Sequence, residues 1–155
     1  MAKKDDKAMT DEDVQVVAFK LRNEEYGFSI LNVQEIKGLT DITRVPFAPD
    51  FIKGVINLRG SVLPVIDLKK RLGLEDTPYT ANTRIVIVRH DEISVGMLVD
   101  AVTEVRTING SDIDKTRAIA GNDASSKFIS GIGKVDGRLI IQLNISDIIG
   151  MNGDE

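Results

Sequence analysis

The chain matches itself. Phe51-Ile52-Lys53-Gly54 recurs as Phe128-Ile129-Ser130-Gly131, and Gly60, Asp67 and Gly73 recur as Gly137, Asn144 and Gly150, all at an offset of 77 positions. Between those glycines Leu63, Ile66, Leu68 and Leu72 answer to Ile140, Leu143, Ile145 and Ile149. The preceding parts match at an offset of 69: Val17 with Val86, Phe19 with Val88, Gly27 with Gly96, Val33 with Val102 and Glu35 with Glu104. One shared glycine would mean little. Glycines and apolar positions held together at constant offsets indicate an internal duplication. The two offsets differ by eight residues, an insertion placed in the polar stretch 109–127 of the second copy.

Each copy has the same local pattern. Val14 to Arg22 is β-branched and alternating, which predicts a strand; Asn23-Glu24 predicts a turn, and Tyr26 to Ile30 a returning strand. Ile30, Val33 and Ile36 recur every third residue, which predicts a short helical turn. Pro46 and Pro49 punctuate a linker. Phe51 to Leu58 and Ser61 to Ile66 form a hairpin around Arg59-Gly60; Asp67 then caps a short helix, Leu68 to Leu72, that ends at Gly73 in a left-handed C′ position. The second copy runs Arg84 to His90, Ile93 to Val99, Val102 to Ile108, Phe128 to Val135 and Leu139 to Leu143, with Asn144 capping a last short helix that stops at Gly150. The fold class is therefore all-β with short helices. Four or five strands in each copy make a small curled barrel, which removes open sheet edges. One such barrel buries a marginal core, and two packed together share one. Residues 1–13 are charged and read as a disordered tail. Residues 14–150 form one domain, with repeats over about 14–75 and 84–150.

Composition narrows the function. The chain has 155 residues, a formal net charge of −4 and no cysteine, which excludes disulfides, cysteine-held metals and thiol nucleophiles. No stretch approaches the length of an apolar membrane span, and the start lacks the apolar centre of a secretion signal. A nucleic-acid-binding barrel is the alternative function, but the acidic balance and 5% aromatic content oppose it. The one histidine, His90, ends a strand without an evident partner; no phosphate loop, nucleophile elbow or metal-ligand spacing is present. The sequence predicts no catalytic residue, no cofactor and no metal.

Where the copies diverge, a specific role is expected. The first hairpin tip reads Asn57-Leu58-Arg59-Gly60; its twin reads Lys134-Val135-Asp136-Gly137. Asp-Gly is ordinary turn chemistry, whereas Arg59 offers a planar, multi-donor cation suited to a carboxylate or carbonyl of a partner. Glu35 lies in the segment after the second strand, and its twin Glu104 points to a role in the shared fold.

The run Phe51-Ile52-Lys53-Gly54 through Asn57-Leu58-Arg59-Gly60 to Pro64-Val65-Ile66-Asp67-Leu68 resembles the signature of the CheW family. Val33-Gln34-Glu35-Ile36, Val95-Gly96-Met97-Leu98-Val99-Asp100 and Phe128-Ile129-Ser130-Gly131-Ile132-Gly133 resemble its other hallmarks, so the likeness spans 14–150. The resemblance implies two SH3-like five-stranded β-barrel subdomains packed around a shared hydrophobic core. It also implies a stand-alone, cytoplasmic chemotaxis adaptor recruited to membrane receptor arrays. Its partners would be the regulatory domain of the histidine kinase CheA and the cytoplasmic tip of methyl-accepting receptors. Carried over, Arg59 and Asn57 belong to the receptor-facing signature and Val33 and Glu35 to the receptor-binding region, with Ile30 lining an apolar groove between the barrels or serving the core. The kinase would dock on barrel ends.

Overall fold

The computed structural model describes residues 13–115 and 127–150, so all but the last residue of the expected tail over 1–13 and most of the polar insertion lie outside the described residues. The first copy supplies β1 (Val14–Leu21), β2 (Glu24–Ser29), a 3-10 turn (Ile30–Asn32), β3 (Val33–Gly38), β4 (Ile52–Leu58), β5 (Ser61–Asp67) and α1 (Leu68–Arg71). The second supplies β6 (Arg84–His90), β7 (Ile93–Val99), β8 (Ala101–Ile108), a 3-10 turn (Gly110–Asp112), β9 (Ile113–Asp114), β10 (Ile129–Val135), β11 (Arg138–Leu143) and α2 (Ile145–Ile149).

Local chemistry accounts for the turns and caps. Asp67 and Asn144 accept hydrogen bonds from the backbone N–H of Lys70 and Asp147, the capping geometry expected of both. Gly73 has φ +79, and the N–H groups of Gly73 and Leu74 bond the carbonyls of Lys70 and Lys69, closing α1 in a Schellman arrangement. Two expectations shift. The turn between β1 and β2 is Arg22-Asn23, with Arg22 at φ +60 and Glu24 already in strand. The period-three pattern over Ile30, Val33 and Ile36 is not one helical turn: only Ile30–Asn32 coils, and Val33–Gly38 is strand. Pairing with β6 overrides that pattern, with a bulge between Val33 and Glu35 that shifts the register.

Two sheets form, in the orders β8-β1-β2-β11-β10-β9 and β3-β6-β7-β5-β4. Replacing each strand except β9 by its twin turns one order into the other. Each sheet takes two strands from one copy; the six-stranded sheet takes four from the other copy and the five-stranded sheet three. The parallel pairs β2·β11 and β5·β7 and the antiparallel pairs β1·β8 and β3·β6 all join residues of different copies. A short pairing completes each sheet: Thr43 bridges Val55 in one, and Asp114 pairs with Ile132, the twin of Val55, in the other.

Burial follows this exchange. Phe19, Leu21, Tyr26 and Phe28 meet Val86, Val88, Val95, Met97 and Val99 in a central cluster, joined by Ile66, Leu68, Phe128, Leu143, Ile145, Ile148 and Ile149. Alternate residues on the same strands fill the separate barrels. Val16 and Ala18 pack with Ile108, Val135 and Ile140, while Ile85 and Ile87 pack with Ile56, Leu58, Leu63, Val65 and Leu98. β1 and β6 are buried on both faces, which is why their sequences are nearly continuous apolar runs. The buried Lys69 ammonium is held by Asp100, 2.7 Å away, and by the Thr77 hydroxyl; Asp100 also accepts from the Arg22 N–H at 2.7 Å.

Two substitutions test this packing. Gly54 has φ +156, and a Cβ there would collide with the Thr43 carbonyl that closes the sheet. Gly54→Ala is expected to lower stability by more than about 2 kcal/mol, read as a lower urea midpoint. Gln142 is buried, its Nε2 has no hydrogen-bond partner among the described residues, and its twin Val65 is apolar and fully buried. Gln142→Met removes the unpaired donor at similar volume and is expected to raise stability by about 1 kcal/mol.

Candidate functional site

The β4–β5 hairpin ends at Arg59 and Gly60, with φ +51 and +90, the left-handed pair of a two-residue hairpin turn. A non-glycine residue in this region carries a backbone cost, which Gly60 beside it does not. The Asn57 side chain anchors the turn: its Oδ1 accepts from the Gly60 N–H at 2.9 Å. Arg59 is thereby held at an exposed tip, its side chain 70% accessible.

Arg59 does not point freely into solvent. Its Nη2 donates to Glu35 Oε1 at 2.5 Å. The hydrogen bond from Arg59 is the main reason the Glu35 carboxyl lies below the ordinary glutamate range, with desolvation working against it and the Arg59 and Lys37 charges adding to it. Glu35 therefore stays ionised and presents a formed ion pair with part of the guanidinium still accessible. Next to it, Gln34 Oε1 accepts from the Ser94 hydroxyl at 2.9 Å.

The structure separates the remaining candidates. Val33 is half-buried and packs against the central cluster, so its side chain serves the core. Ile30 is half-buried and lines a pocket of about 390 Å³ with Asp13, Val14, Gln15, Ser29, Leu31 and Thr107. Arg59, Asn57 and Glu35 thus form one cluster, while Val33 and Ile30 flank the 3-10 turn that leads into β3. His90 closes β6, with Nε2 3.6 Å from the exposed Asp91 carboxylate. Among the described residues no three His, Cys, Asp or Glu side chains gather as a metal site.

The second copy carries a larger charge network at the twin position. Glu104, the twin of Glu35, accepts from Arg138 at 2.7 Å and from Arg106 at 3.2 Å. Arg138 also grips Glu25 through two bonds of 2.9 and 3.1 Å, and Arg106 reaches Asp136 at the hairpin tip at 2.5 Å. Both glutamates therefore brace a hairpin, but the tip they serve is cationic in one barrel and anionic in the other. Arg106 and Arg138 were not singled out from sequence. Comparison with their twins Lys37 and Ser61 carries the signal, most clearly at Arg138, where a neutral residue becomes a cation.

Residues 15–152 match the family model described as the CheW-like domain. The chain belongs to the CheW family. Among its relatives, the chemotaxis protein CheW of Bacillus subtilis is 39% identical over 133 residues, covering 86% of this chain and 83% of that protein. The chemotaxis protein CheW of Thermotoga maritima is 36% identical over 137 residues, 88% of each. The scaffolding protein TtCheW of Thermoanaerobacter tengcongensis superposes with a TM-score of 0.83 at 38% identity, over 92% of this chain and 96% of that one. This CheW-family chain has the expected two-barrel fold. No helix among its described residues is long and apolar enough to cross a membrane.

The ion pair sets a pH signature. Because the folded-state pKa of Glu35 is lowered, the pairing is complete at neutral pH and is lost as pH falls through that lowered value. Carboxyl-resolved NMR titration is expected to place the Glu35 midpoint below that of an unpaired glutamate. In Arg59→Ala the midpoint is expected to rise back to the ordinary range.

Proposed function

We propose that this chain is a non-enzymatic adaptor that couples methyl-accepting chemotaxis receptors to the histidine kinase CheA. Family membership supports the chemotaxis role, and the solved relative is itself a scaffolding protein. The observation that carries the reading is the braced cation at the first hairpin tip. Arg59 occupies a left-handed position where the twin uses Asp136, at φ +52, and is positioned by Glu35. A turn has no need of arginine there. A partner carboxylate or carbonyl does, because the guanidinium offers several directed donors while remaining paired with Glu35.

In this reading Arg59, Asn57 and Glu35 form the polar part of the receptor-facing surface. Val33 sets the strand that carries Glu35, and Ile30 offers an apolar wall to the helical receptor tip. The kinase regulatory domain docks on the barrel ends. The adaptor makes no covalent change. It holds its partners in one assembly at the cytoplasmic face of the membrane, and receptor state shifts kinase activity through differential contacts. Modest interfaces suffice because linkage within an array raises effective concentration.

Calorimetric titration against a receptor signalling-tip fragment and, separately, the CheA regulatory domain tests the reading. Saturable binding to both is expected. Arg59→Asp is expected to weaken the receptor arm by about tenfold, about 1.4 kcal/mol. It should leave Tm nearly unchanged, because aspartate already occupies the twin position in the same backbone conformation. Binding of the folded protein to neither partner would refute the adaptor role.

A further inference from the structure

Arg71 stands between the two barrels and is a point where their symmetry fails. Its guanidinium lies 4.2 Å from the Phe51 ring centroid and 4.8 Å from that of Phe128, two rings that are each other's twins. Its Nε donates to the Ile148 carbonyl at 2.9 Å and its Nη2 to the Asp147 carbonyl at 3.2 Å. Arg71 belongs to α1, which follows β5 in one barrel; both carbonyls belong to α2, which follows β11 in the other. The twin of Arg71 is Ile148, so a single arginine spans the junction and no second arginine mirrors it.

The two rings are themselves fixed to the hairpins. The Phe51 carbonyl accepts from the Asp67 N–H and the Phe128 carbonyl from the Asn144 N–H, both at 2.7 Å. Phe51 therefore marks the base of the hairpin tipped by Arg59, and Phe128 the base of the hairpin tipped by Asp136. The central apolar cluster holds the barrels together, but apolar contact has little directionality. Directed donors to fixed carbonyls, with a planar cation between two rings, define an angle as well as a contact.

We propose that Arg71 is a positioning residue that locks the two tip-bearing hairpins in one relative setting. Its action lies in geometry and touches neither tip. The locked spacing is a property of the chain alone; its use in coupling rests on the adaptor role.

Double electron–electron resonance on the full chain tests the lock. The sequence has no cysteine, so Val62→Cys and Leu139→Cys, exposed twin positions beside the two tips, place one nitroxide on each hairpin. The expected result is one narrow distance distribution with Arg71 present. Arg71→Met keeps reach and apolar contact but loses the planar cation and its donors; it is expected to broaden the distribution or move it beyond the parent half-width. Arg71→Lys keeps the charge and is expected to restore the parent distribution only in part. Backbone NMR spectra showing both barrels folded make the comparison valid, and the lysine variant serves if the methionine variant does not fold. Distributions superimposable on the parent in a folded variant would overturn the lock. Partner binding by the parent protein, measured separately, decides the adaptor reading whatever the distances show.

Discussion

Everything in this molecule depends on the shared central core. A barrel of five short strands buries little apolar surface on its own. Here β1, β2, β6 and β7 bury a second face against each other, so Phe19, Phe28, Val86, Val88 and Met97 are removed from water by a neighbouring barrel rather than by their own. Phe19 and Phe28 lie with centroids 4.9 Å apart in this layer. The exchange of strands follows from the same requirement. When β3 leaves its own copy to pair with β6, and β8 pairs with β1, backbone hydrogen bonds join what apolar contact has brought together. Neither barrel is complete without the other copy's strands.

On that frame the two copies have diverged where divergence costs little. The hairpin turns accept either Arg59 or Asp136 in the same left-handed conformation, and each tip is braced by the side chain of a nearby charged residue. The frame therefore fixes where a charge is presented, and the sequence of each copy chooses its sign. A surface built this way suits an adaptor, which must offer different faces to different partners from one rigid body. Long charged side chains on their own would wander; the charge-assisted hydrogen bonds to Glu35 and Arg106 narrow the settings of these two tip side chains.

Much of this was legible beforehand, and specific residues explain why. The twin glycines, the capping residues Asp67 and Asn144 and the Gly73 stop are local chemistry, decided within a few residues, and the structure bears them out. Val33 to Ile36 misled because a spacing of three is compatible with a turn, and only pairing with β6 made it strand. The twin segment Val102 to Ile108, read as strand from its own pattern, held the corrective signal. The Arg59–Glu35 pair joins positions 24 residues apart, and Arg138–Glu25 positions 113 apart, so neither contact exists as a sequence pattern.

By itself the sequence determined the strand-rich class, the duplication, the turns and caps, and the residues by which the chain resembles its family. These depend on alternation, glycine and proline placement and self-similarity, which are properties of neighbours along a chain. Only the tertiary structure decided which copy's strands complete which sheet, that Val33 serves the core while Glu35 braces Arg59, and that Arg71 sits between Phe51 and Phe128. The reason is physical. Pairing and burial are settled by competition among distant segments for the same edges and the same dry interior, and that competition has a winner only when the whole chain is folded.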